Sequence, residues 1–180
     1  MTSRSRCATS PRMFIECLQR ELVICHHGEV EEFLAADPGR WHVVSIREPH
    51  HAEAMLTQAR KAHAVVFEDV FTPEGTHGHG PKSAHLQGIL RFVAQSGREP
   101  LLVQCWAGRS RSTAVALVVI VKTLWEQGID GPELVRRAAG TLLTIRPLAI
   151  PHRRVLPHPL GQTLSKALVE EPRIRRNFFD

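Results

Sequence analysis

The sequence contains no tyrosine, and aromatic residues make up only 6% of its 180 positions. That scarcity argues against a nucleic-acid binder, which needs interleaved aromatics or a basic helix, and the arginines here are scattered. No two of the four cysteines (Cys7, Cys17, Cys25, Cys105) stand in a CxxC pair, so they read as the reduced thiols of a cytoplasmic protein. The apolar run 114–121 stops at Lys122, far short of the ~18 residues a membrane-spanning helix requires. A Walker phosphate loop, GxxxxGK[ST], is absent. The opening residues lack the apolar run of a secretory signal. Basic and serine-rich, residues 1–12 are weakly reminiscent of a transit peptide and are expected as a disordered tail, with Met13 an alternative start.

What the chain does have is enough apolar sequence, 43%, to build a core, in a length that suits one domain, expected over 13–171 with a second tail at 172–180. Its net charge of +5 favours anionic partners. Short β-rich runs at 21–25, 41–46, 63–67 and 100–105 alternate with helical patterns at 29–36, 52–62, 81–95, 112–127 and 132–143; a last amphipathic segment covers 160–169. This alternation predicts an α/β fold with a mostly parallel sheet flanked by helices, whose ligands bind at the carboxyl ends of strands.

The run LLVQCWAGRSRSTAVAL, 101–117, sits where such a fold places its site. An apolar strand ends at Cys105, a short polar loop follows, and an apolar helix begins. Gly108 permits a tight curl, and the small Ala107 and Ser110 keep it uncluttered. A loop curled ahead of a helix aims several N–H groups at one point, where the helix terminus adds partial positive charge. Arg111 supplies a planar fork for two oxygens of a phosphoryl group. Donors that hold a dianion also favour a thiolate, which makes Cys105 a candidate nucleophile. Ser112 can cap the helix or hydrogen-bond the sulfur. Trp106 can stack on a substrate ring or fill the back of the loop, the second reading being preferred. A buried structural thiol is the alternative for Cys105.

Cys105, five intervening residues, then Arg111 and Ser112 resemble the CxxGxxR[ST] signature of the cysteine-based protein tyrosine phosphatases. CWAGRSRSTA is especially similar to their compact dual-specificity branch, including small bacterial members. The resemblance implies a general-acid aspartate on an upstream loop; Asp69 in FEDVFTPEG matches, with Glu68 its neighbour and competitor. It also implies a phosphocysteine intermediate, no metal and no cofactor, and a phosphorylated protein or other phosphomonoester as substrate. Residues 106–110 would then line the phosphate site.

The chain departs from the pattern at three places. Gln104 stands where the family has histidine, which predicts weakened activity and keeps a non-catalytic phosphate-binding module as the rival reading. Arg109 stands where bacterial relatives tend to carry an apolar residue and reads first as a solvated cation; lipid-directed members carry a basic residue there, so inositol phosphates or phosphoinositides are a further substrate class. In TIRPLAIPH, His152 stands for the asparagine of a bacterial RP…PN stretch. Low-molecular-weight phosphatases share the spacing and would use Asp130 as acid, but Asp130 reads better as a helix cap. His77 and His79 form an HxH pair with no third ligand at metal spacing. Cys25 ends a strand of its own and is either buried or a resolving thiol for Cys105.

Overall fold

The computed structural model describes residues 10–70, 75 and 78–156. The strands are β1 (Met13–Ile15), β2 (Arg20–His26), β3 (His42–Arg47), β4 (Lys61–Val66) and β5 (Leu101–Cys105). The helices are α1 (Val30–Ala36), α2 (Ser83–Gln95), α3 (Arg111–Glu126) and α4 (Gly131–Ile145). One sheet runs in the order β1-β2-β5-β3-β4, and every pairing is parallel except that of β1 with β2. Among the described residues no helix is long and apolar enough to cross a membrane.

β5 lies between β2 and β3, and all five of its residues are buried, as befits a parallel strand covered on both faces. Alternation sorts its side chains. Leu101, Val103 and Cys105 enter the larger apolar cluster with α3, while Leu102 joins Val23, Cys25, Trp41 and Val43 on the other face. Cys25 therefore belongs to the opposite side of the sheet from Cys105, and burial pushes its thiol pKa far up. An inert structural cysteine fits that setting. Helix α3 is buried without a break from Arg111 to Val121, so its apolar residues face core in every direction. It packs against α4, which buries a narrower stripe that includes Leu134, Ala138 and Leu142.

The helix expected over 52–62 does not form. Lys61 and Ala62 pair instead with His42 and Val43, starting six rungs of β3–β4 ladder. Ala54, Leu56 and Ala59 pack onto the cluster around Trp41. A helical preference of a few tenths of a kcal/mol per residue yields to that pairing and burial. The link between β3 and β4 is thus a loop, and it runs past the carboxyl ends of the strands. β1 is a three-residue edge strand too short for any periodicity to announce.

Two residues of the expected tail are placed on the domain. Ser10 is buried against Glu29, and the Arg12 guanidinium lies over the rings of Phe33 and Trp41. Residues 1–9, 157–180 and His77 lie outside the described residues, and with them the amphipathic segment 160–169 and half of the HxH pair.

Candidate active site

Cys105 is the last residue of the central strand, and α3 begins six residues later. The intervening turn is fixed from outside. Gly108 has φ +64°, and a Cβ there would stand 2.7 Å from the carbonyl carbon of Cys25 and from the amide nitrogen of His26. The loop presses directly on the end of β2, so only glycine fits. The Gly108 carbonyl accepts a hydrogen bond from Arg146 Nε at 3.1 Å, and Arg146 also donates to Ser10 Oγ at 2.9 Å. Ser10 in turn donates its N–H and hydroxyl to Glu29. Burial would raise the Glu29 carboxyl, but these bonds from Ser10, with that from the His26 amide, outweigh it and hold the carboxyl below its ordinary range.

The carbonyls of Trp106, Arg109 and Ser110 are engaged as well. That of Trp106 accepts from the His27 amide, that of Arg109 from the Ile150 amide and the Thr113 hydroxyl, and that of Ser110 from the Ala114 and His152 amides. In a planar trans peptide the N–H points opposite to the C=O of the residue before it. Carbonyls committed outward therefore turn the N–H groups of Ala107, Arg109, Ser110 and Arg111 toward the inside of the loop. That is an anion-binding concavity set on a helix N-terminus.

The sulfur opens this concavity. Cys105 is buried, with Sγ 3.2 Å from Ser112 Oγ. Ser112 lies in the first turn of α3 and Ser110 occupies the cap position, so the hydroxyl of Ser112 serves the sulfur and not the helix end. Arg111 is 3% exposed and reaches three oxygens. Its NH1 donates to the Phe67 carbonyl at 2.9 Å, its NH2 pairs with Glu48 Oε1 at 3.1 Å, and its Nε faces Asp69 Oδ2 at 3.4 Å without forming a hydrogen bond. A buried guanidinium edge without a hydrogen bond is costly on its own and suits an anion that completes it.

Asp69 meets the loop across 41 residues of sequence. Its Oδ1 accepts from the Ser110 hydroxyl at 3.0 Å and lies 3.2 Å from His152 Nε2. Burial lowers the His152 pKa, although the Asp69 carboxylate works against that shift. Glu68, the competing acid, is buried against Gly75. Among the two carboxylates it is Asp69 that the fold brings to the loop.

Glu48, Arg146 and His152 complete the site. Glu48 carried a signal that was available, since it lies two residues past the apolar run 41–46, on the side of the sheet where ligands bind. Trp106 does not fill the back of the loop. It is 50% exposed and stacks on His51 and His27, with ring centroids 4.1 and 5.3 Å away, while its carbonyl accepts from the His27 amide. Arg109 reaches the rim, where Nε donates to the Leu148 carbonyl at 3.4 Å. Ala107 caps nothing and is exposed at the mouth. Gln104 points away from the sulfur's face, donates to Ser45 Oγ at 2.5 Å, and leaves its carbonyl oxygen buried without a partner. Asp130 stands at the N-terminus of α4, with Pro132 in the first turn.

No family model and no curated protein sequence matches the chain. Solved structures do. Tk-PTP in its active form is similar over 92% of this chain and 99% of its own, at 19% identity and a TM-score of 0.54. A mouse putative dual specificity phosphatase complexed with zinc tungstate is similar over 96% and 97%, at 19% identity and 0.52. A human tyrosine phosphatase-like serine/threonine/tyrosine-interacting protein is similar over 88% and 93%, at 17% identity and 0.53. The chain thus has the fold of the cysteine-based tyrosine and dual-specificity phosphatases, a five-stranded, mostly parallel sheet flanked by helices.

Proposed function

We propose that the protein is a cysteine-dependent phosphomonoester hydrolase of the cytoplasm. The observation that carries the reading is the convergence of Cys105 Sγ, the inward-facing loop amides and the guanidinium of Arg111 on one concavity, with Asp69 across it. The phosphoryl oxygens would lie on the amides and on Arg111 Nε, with Trp106 and Arg109 at the rim. Cys105 Sγ attacks phosphorus, the bond to the ester oxygen breaks, and Asp69 gives that oxygen its proton. Asp69, now a carboxylate, takes a proton from water as the water oxygen attacks the phosphocysteine. The P–S bond then breaks, and Ser112 donates its hydroxyl proton to the departing thiolate as a hydrogen bond. The guanidinium and amides carry the charge of the equatorial oxygens in both steps, where a loose transition state keeps it.

A phosphate-binding module is the second reading, and Gln104 is the observation that favours it, because its amide is spent on Ser45. Hydrolysis of an aryl phosphate in the presence of a chelator separates the two. The enzyme reading requires turnover in the wild type and its loss in Cys105→Ser; equal activity in both, or none in the wild type, overturns it.

A further inference from the structure

The loop between β3 and β4 brings a carboxylate oxygen of Glu48 and one ring nitrogen each of His50 and His51 within 4.8 Å of one another. His50 Nε2 stands 3.4 Å from Glu48 Oε2. Two ligands each about 2.0–2.1 Å from a tetrahedral ion are separated by about 3.3–3.4 Å, so this pair already has the spacing of two metal ligands. His51 Nδ1 is buried and makes no hydrogen bond. Exposure is graded across the set: the Glu48 side chain is 17% exposed and that of His50 68%, which leaves one ligand anchored and another open to solvent. A carboxylate with two imidazoles suits zinc, cobalt, nickel or copper rather than magnesium or calcium, which prefer oxygen alone.

We propose that Glu48, His50 and His51 form a binding site for a divalent transition-metal ion of the zinc class at the rim of the phosphate loop. The ion takes Glu48 Oε2, while Oε1 of the same carboxylate faces Arg111 NH2 at 3.1 Å. Charge drawn to the ion is charge withdrawn from Arg111, so metal and phosphate affinities are coupled through one side chain, and the coupling is reciprocal. The site itself does not depend on whether the protein hydrolyses phosphate.

The experiment is a calorimetric titration of the untagged protein with zinc, repeated with cobalt while tryptophan emission is followed, since the ring of Trp106, one of three tryptophans, lies 4.1 Å from that of His51. One ion per chain is expected. His50→Ala, an exposed substitution, should weaken binding about tenfold or more, as should His51→Gln. Cys105→Ser should leave it unchanged. Binding that is absent, that survives both histidine substitutions, or that is lost in Cys105→Ser because the thiol holds the ion, overturns the proposal. A chelated wild type that hydrolyses nothing would count against the phosphatase reading alone.

Discussion

His152 Nε2 lies 3.2 Å from Asp69 Oδ1, so an imidazole that is fully buried stands behind the carboxylate proposed as the acid. In the RP…PN stretch that TIRPLAIPH resembles, asparagine takes the place of His152. Histidine and asparagine can each bring a polar nitrogen to this carboxylate, and alanine cannot. Asp69→Ala should therefore lower turnover about 100-fold on esters with poor leaving groups and far less on nitrophenyl phosphate, whose departing oxygen scarcely needs a proton. His152→Asn should keep most of the activity that His152→Ala loses. A leaving-group series that shows equal losses for Asp69→Ala would take the acid role from that residue.

Gly108→Ala should destabilise the fold by about 2 kcal/mol or more. A left-handed backbone conformation alone costs a non-glycine residue about 1 kcal/mol. Its methyl group would also stand 2.7 Å from the β2 backbone, which has no flexible end to move aside. Urea unfolding measures the loss. A variant that is as stable as the wild type would mean that the loop does not rest on β2 as described.

Burial lowers the pKa of His42, His63 and His85 below the ordinary value of 6.5. The unfolded chain therefore takes up protons that the native chain refuses, and stability rises with pH across that window. Above pH 6.5 the native state is under no such penalty; as pH falls through 6.5 and toward the depressed native values, stability is lost. Urea midpoints at pH 7.5 and 5.5 should differ in that order, and an unchanged midpoint would place these rings in contact with water.

Much of this site was legible in the sequence because its parts are local. Cys105, Gly108, Arg111 and Ser112 sit within eight residues, and the strand before and helix after them are apolar enough to define their own boundaries. Asp69 was legible only through resemblance, since nothing in its neighbourhood distinguishes it from Glu68. The structure separates the two by direction: one faces Ser110 and the other Gly75. Glu48 and Arg146 meet the loop through tertiary geometry alone, 63 and 38 residues away in sequence from the atoms they hold. The missed loop at 48–60 has the same origin. Its alanines and leucine read as a helix until β3 offers a partner for Lys61 and Ala62.

Gln104→His should raise turnover. Glutamine leaves a buried carbonyl oxygen unpaired beside the nucleophile's strand, whereas an imidazole of similar size can donate to Ser45 and carries no such oxygen. Alkylation of Cys105 by iodoacetamide at neutral pH, read beside turnover, should become faster. If neither rate changes, position 104 does not limit the thiol.

The outward commitment of the loop carbonyls has a thermodynamic consequence. With the carbonyls of Trp106, Gly108, Arg109 and Ser110 already bonded to His27, to the first turn of α3 and to residues of the 146–152 turn, an arriving anion finds its amides fixed in place and has no chain to order. Its association should carry little conformational entropy cost and a small heat-capacity change, so the affinity for inorganic phosphate should follow ionic strength far more closely than temperature.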